Sequence, residues 1–125
     1  MRDYNRLEFW RRAHAQVIAI SDVARRIRGR DFASLRSQLI RSSESVAATI
    51  VEGCGASSAK EFARFLEMSI KSGAETEYHL RSGRDRRAIS YNDWRRVAPE
   101  TIEIWKMTYA YRKKLLEDDK QQPYG

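Results

Sequence analysis

Four stretches of the chain repeat apolar residues at spacings of three and four, and turn-forming residues separate them. That period gathers apolar side chains on one side of an α-helix and on no single side of a strand, so it restricts the fold more tightly than any other feature. The first stretch, from about Asn5 to Arg28, carries Leu7, Trp10, Ala13, Val17, Ile20, Ala24 and Ile27 as one stripe. Asn5 and Glu8, three residues apart, have the form of a capping pair, and Gly29 marks the stop. The second stretch runs from about Phe32 to Glu52, with Leu35, Leu39, Ser42, Val46 and Ile50 inward. Its middle is small: Ser42, Ser43, Ser45, Ala47, Ala48 and Thr49 let a neighbour come close, at some cost in helix propensity. Gly53-Cys54-Gly55 ends it.

Ser58 and Glu61 form a capping box that opens the third stretch, where Phe62, Phe65, Leu66, Ser69, Ile70, Gly73 and Leu80 share a face up to about Arg87. Ser90 and Asp93 open the fourth, which reaches about Glu117. One of its rows holds Ala98, Ile102, Trp105, Tyr109 and Leu116, and a second holds Val97, Ile104, Tyr111 and Leu115. Pro99 removes a backbone donor inside this helix, which predicts a kink or a short first segment. No alternating strand pattern competes. The expected fold is all-α, an up-down-up-down antiparallel four-helix bundle over residues 1–117, with an aperiodic tail at 118–125.

The 125 residues fit one domain, and thirteen aromatics within 42% hydrophobic residues suffice for a core without staples. A single cysteine, Cys54, makes no internal disulfide and suits a reducing compartment. No stretch approaches the ~20 apolar residues of a membrane span. The expectation is a soluble cytoplasmic domain with no membrane partner.

Charge then narrows the partners. Lys and Arg number 24 against 17 Asp and Glu, for a formal charge of +7, and eighteen of the basic residues are Arg. Phosphate recognition and interface pairing favour the guanidinium fork, although a bias towards arginine codons produces the same count. In an up-down bundle, one end collects the C-termini of helices one and three and the N-termini of helices two and four. That end holds Arg25, Arg26, Arg28, Arg30, Arg36, Arg81, Arg84, Arg86, Arg87, Arg95 and Arg96, against Asp22, Asp31, Asp85 and Asp93. The surplus of seven equals that of the whole chain. Such an array has the footprint of a polyanion binder, with RNA or DNA held by its phosphates. Three other uses stay open: interaction with the negative ends of helices one and three, pairing with acids on another subunit or a protein partner, and simple solvation. No helix-turn-helix, zinc-finger or aromatic-bearing sheet motif points to base reading.

A helix apolar on two rows covers more than one neighbour, so Trp105, Tyr109 and Tyr111 on helix four suggest a subunit contact; the alternative is that the bundle core itself needs that surface. Catalytic patterns fail by comparison. Glu75 and His79 lie four apart on one helix, but a di-metal bundle needs Glu-x-x-His on two helices with two further glutamates. The turn Gly53-Cys-Gly-Ala-Ser-Ser lacks the Gly-Lys-Ser/Thr of a phosphate-binding loop, and neither Cys54 nor His14 has a partner group in sequence. No enzyme, metal or cofactor is expected.

Four motifs, taken in order, carry a family resemblance: Met1-Arg-Asp-Tyr-Asn-Arg-Leu-Glu-Phe-Trp, Ser37-Gln-Leu-Ile-Arg-Ser-Ser, Ile50-Val-Glu-Gly-Cys-Gly and Lys60-Glu-Phe-Ala-Arg-Phe-Leu. With Glu75 they resemble the four-helix-bundle proteins of the 23S ribosomal RNA intervening-sequence family over about residues 1–117. The resemblance implies one bundle per subunit and a ring-like homopentamer around a central channel. Some members are encoded within insertions in ribosomal RNA genes, and their biochemical role is unsettled. The similar accessory variability proteins of diversity-generating retroelements share the bundle and the pentamer, are basic, and work with a reverse transcriptase and nucleic acid. Two readings follow: a non-enzymatic, oligomeric binder of RNA or DNA, or a scaffold ring that docks a partner enzyme. The chain departs from the family at Ala47 and Thr49, where Pro and Asn are usual, so helix two is expected to run straighter than in its relatives.

Overall fold

A computed structural model describes residues 2–121. Four helices follow one another, α1 (Glu8–Arg26), α2 (Ala33–Cys54), α3 (Ala59–Asp85) and α4 (Tyr91–Lys120), with no strand among the described residues. Each helix touches its two neighbours, α1 closing against α4, and neither diagonal pair meets. Short connections make successive helices antiparallel, and the result is the expected up-down-up-down bundle. α4 extends three residues past the expected end at Glu117, and the last four residues of the expected tail lie outside the described residues.

Capping chemistry sets most of the boundaries. Ser58 Oγ accepts from the Glu61 N–H at 3.1 Å, and Glu61 returns its carboxylate one residue earlier than a simple box, to the Ser57 N–H at 3.2 Å. Ser90 Oγ likewise accepts from the Asp93 N–H at 3.1 Å, but the Asp93 carboxylate is engaged elsewhere. The Asn5–Glu8 pair does not form. Instead Asp3 accepts from the Asn5 N–H at 3.0 Å and holds Tyr4–Arg6 in a 3-10 turn, so α1 starts after Leu7 without a side-chain cap.

Helix α3 ends in a Schellman motif, with the Ala88 N–H donating to the Gly83 carbonyl at 2.8 Å and the Arg87 N–H to the Arg84 carbonyl at 3.0 Å. The left-handed residue of the motif, usually glycine, is Arg87 at φ 61. Helix α4 continues through Pro99 without a separate first segment. Pro99 and Arg95, whose carbonyl the proline leaves unbonded, both lie on the exposed side, where water can take that carbonyl. α2 is likewise uninterrupted, with Thr49 buried and its hydroxyl donating to the Ser45 carbonyl at 2.7 Å.

The core has two apolar halves. One gathers Phe9, Ala13, Val46, Ile50, Phe62, Leu66, Ile104 and Leu115; the other gathers Ile20, Val23, Ile27, Leu35, Leu39, Leu80, Ile89 and Val97. Between them lies a polar waist. Gln16 donates to the Val97 carbonyl at 2.6 Å and the Thr101 hydroxyl at 2.8 Å, Thr76 donates to Ser42 Oγ at 2.8 Å, and Ser69 donates to the Val46 carbonyl at 2.8 Å. A cavity of ≈ 10 Å³ lined by Gln16, Ser43, Gly73, Thr76 and Thr101 sits there, room for about one water.

Two stripes differ from their sequence reading. On α1 and its caps, Ala13, Ile20, Ala24 and Ile27 are buried as expected and are joined by Phe9, Gln16 and Val23, while Leu7, Trp10 and Val17 are only half-buried. On α4 the second row supplies the core through Val97, Ile104 and Leu115, joined by Thr101 and Thr108, and Tyr109 of the first row is exposed. The small middle of α2 meets α3 through hydroxyls, Ser45 lying 2.9 Å from Ser72 and Ser42 2.8 Å from Thr76. At the end of α2, Gly53 lies so near α3 that an added Cβ would stand 2.8 Å from Phe62 Cδ1 and 2.9 Å from Phe65 Cβ.

Candidate nucleic-acid interface

The antiparallel order brings the two arginine-rich connections to one end of the bundle. Contacts across that end join all four helices: Arg26 of α1 reaches Asp93 of α4, and Arg86 beyond α3 lies 4.9 Å over the Phe32 ring just before α2. The arginines assigned to this end from sequence are therefore neighbours, but they fall into two tiers.

The inner tier is consumed by the protein itself. Arg26 donates from Nε and Nη2 to Asp93 at 2.9 and 2.8 Å and from Nη1 to Asp22 at 3.0 Å. Arg25 pairs with Asp22 at 2.7 Å, and Arg96 donates to Asp93 at 3.3 Å. Charge-assisted bonds of this kind favour the carboxylate form. Arg26, with Arg96 secondary, holds the Asp93 carboxyl below its ordinary range, and Arg25 followed by Arg26 does the same for Asp22. The Arg26 guanidinium is correspondingly harder to deprotonate, chiefly through Asp93. Arg84 pairs with Asp85 at 3.0 Å, and Arg81 approaches the same carboxylate at 3.9 Å. Arg36 caps α1, donating to the Ile27 and Gly29 carbonyls at 2.9 and 3.0 Å.

The outer tier is Arg28, Arg30, Arg86, Arg87 and Arg95. These five are exposed and form no ion pair among the described residues. They lie on the α1–α2 and α3–α4 connections and on the first turns of α4, and present fork-shaped donors that suit phosphate oxygens. Spacing of one to four residues already pairs Asp22 with Arg25 and Arg26, Asp85 with Arg81 and Arg84, and Asp93 with Arg96. The bidentate Arg26–Asp93 bond, by contrast, joins α1 to α4 and is visible only in the fold. Three aromatic partners were also missed. Arg84 lies 4.5 Å over the Trp94 ring, Tyr91 lies 6.1 Å from Trp94, and Phe32 carries Arg86. A signal existed: Tyr91 and Trp94 are three apart at a helix start, directly after Arg86-Arg87 and before Arg95-Arg96.

Trp105, Tyr109 and Tyr111 do not occupy one surface. Tyr111 packs inside its own chain, 5.1 Å from Phe9 and 6.0 Å from Phe62, and accepts from Arg2 at 2.9 Å. Trp105 rests on Gly73 and donates to Glu77 at 3.3 Å. Tyr109 alone of the three stands out, 55% exposed. Elsewhere, Glu75 and His79 meet at 3.4 Å, with no group of three metal-binding side chains among the described residues. His14 stacks on Trp10, and burial pushes the Cys54 thiol up, away from the thiolate. No described helix is long and apolar enough to cross a membrane.

Bundle and arginine end together define a small basic all-α protein whose surplus of positive charge falls at one pole. The chain belongs to the family described as 23S rRNA-intervening sequence protein, whose model matches residues 5–110. Among solved structures it is similar to a protein of unknown function from the S23 ribosomal protein family of Bacteroides thetaiotaomicron. The TM-score is 0.78 at 22% sequence identity, covering 84% of this chain and 98% of that one, a likeness of fold. No curated protein gives a match.

Proposed function

We propose that the chain is a non-enzymatic nucleic-acid-binding protein that holds RNA or DNA through phosphate contacts at its arginine end, and that it works as a homo-oligomer, a pentamer of bundles. One observation carries the reading: five exposed arginines without carboxylate partners among the described residues, gathered at one pole by two connections and the start of α4. A polyanion can engage these five without first breaking an ion pair, whereas the inner tier keeps the pole rigid. The family's description as a 23S rRNA-intervening sequence protein agrees with an RNA ligand. Assembly would multiply the contact, because five poles on one particle bind a strand with high effective concentration.

Light scattering at low and high salt, with and without mixed-sequence RNA, tests both parts. The expected particle is five times the 14.6 kDa chain. It takes up RNA at low salt and releases it as salt rises, since bound counterions are regained. Replacing Arg28, Arg30 and Arg87 should lower the slope of log affinity against log salt by about 2, at roughly 0.7 per lost phosphate contact. Binding indifferent to salt and to these three residues overturns the proposal. A protein partner retained after complete nuclease digestion, with no RNA uptake, would favour a docking scaffold instead.

A further inference from the structure

We propose that the arginine end takes single-stranded rather than duplex nucleic acid, with Tyr91 as the platform on which an unpaired base stacks; the inference rests on the phosphate-binding reading above and specifies its ligand. Tyr91 is the first residue of α4 and is 65% exposed, and its hydroxyl makes no hydrogen bond among the described residues. Other large apolar side chains are also exposed, but Ile18, Met68, Tyr78 and Tyr109 lie along the sides of α1, α3 and α4, away from the connections. Of these five side chains, Tyr91 is the one at a helix start, next to the arginine-bearing α3–α4 connection.

Its surroundings alternate guanidinium and ring. Arg84 lies 4.5 Å over Trp94, and the Trp94 ring is 6.1 Å from Tyr91 at 31°. That separation and tilt leave Tyr91 without a close face-to-face partner of its own. Arg95 follows one turn later on the same helix, and Arg87 closes the preceding connection; neither forms an ion pair among the described residues. An exposed ring beside arginines that form no ion pair among the described residues suits a single strand, with a base on the ring and phosphates on the cations. A duplex keeps its bases inside its own stack and offers this pole phosphates and groove edges but no base face.

Fluorescence anisotropy tests the inference with oligouridylate and oligothymidylate of about 12 nucleotides and with an RNA duplex of equal length, a span that fits one compact site. Tyr91→Ala should weaken single-strand binding between about fivefold and a hundredfold and leave duplex binding unchanged, while Tyr91→Trp retains the parent affinity. A difference between the RNA and DNA strands identifies which source the pole prefers. A 2-aminopurine placed in the strand should be quenched by the parent protein and by Tyr91→Trp, and not by Tyr91→Ala. Equal affinity for strand and duplex, untouched by Tyr91→Ala while salt still releases both, overturns the stacking and leaves the phosphate-binding reading standing. Failure to bind any of the three overturns that reading itself.

Discussion

Arg87 occupies a backbone position that normally belongs to glycine. Its φ of 61 crowds Cβ against its own backbone, a cost of roughly 1–3 kcal/mol that the Schellman bonds of the α3 terminus hold in place. Arg87→Gly should therefore raise stability by about 0.5–1 kcal/mol, once the greater freedom of glycine in the unfolded chain is set against the relieved crowding. Urea unfolding measures the gain. The same variant should weaken RNA binding, a pairing of effects that damage to the fold cannot produce. Gly53 behaves in the opposite sense. Alanine is the better helix former by about 1 kcal/mol, yet its Cβ would meet Phe65 Cβ, a position fixed to the α3 backbone, at 2.9 Å. Gly53→Ala should lower stability by about 1–3 kcal/mol, the usual cost of forcing two packed elements apart, as the urea midpoint will show.

Among the elements, the α1–α4 seam is the sparsest of the four helix contacts, and polar links bind it. Arg12 donates to both carboxylate oxygens of Glu100, from Nε at 2.8 Å, Gln16 reaches the Val97 carbonyl, and Arg26 grips Asp93. The Asp93 side chain is only 17% exposed, so its pairing is shielded from salt more than the surface pairs are. Its folded-state pKa is lowered, first by Arg26. The stability it contributes is complete above the unfolded carboxylate value of about 3.9 and is lost as pH falls through the lower folded value. Asp93→Asn should melt below the parent at neutral pH, with the difference closing in the acid range beneath about pH 4. A series of thermal melts across that range checks it.

These links also mark where the sequence stopped being legible. Helix existence, order and the caps at Ser58 and Ser90 follow from spacing, since period and capping are local properties. The stripe of α1 was incomplete because Gln16 reads as polar and therefore as outward; only its acceptors on α4 make it a core residue. Asn5 looked like a cap because the competing acceptor, Asp3, serves a 3-10 turn that has no periodic signature. The shared end of the arginine-bearing connections follows from topology, and most of its ion pairs are local, with Asp22, Asp85 and Asp93 each within four residues of an arginine on the same helix. Only the Arg26–Asp93 bond and the longer Arg96–Asp22 approach depend on how α1 meets α4.

At the scale of the whole molecule, the formal charge of +7 is not spread over a sphere. Two connections and one helix start carry the pole's unpaired arginines, while Asp22, Asp85 and Asp93 hold Arg25, Arg26, Arg81, Arg84 and Arg96 in a frame beneath them. Such a frame holds the backbone that carries the unpaired arginines, so that binding has side chains to order but not the connections themselves. The ordered waist bears on this from a distance. A bundle with a uniformly greasy interior tolerates one helix sliding along another, because each apolar layer resembles the next. Here a one-turn slide would carry the hydroxyls of Ser42, Ser69 and Thr76 and the amide of Gln16 into an apolar half, with no acceptors opposite. The waist thus works as a vernier: it sets the height of every helix against its neighbours, and the level at which the two arginine-bearing connections stand side by side is decided in the middle of the molecule.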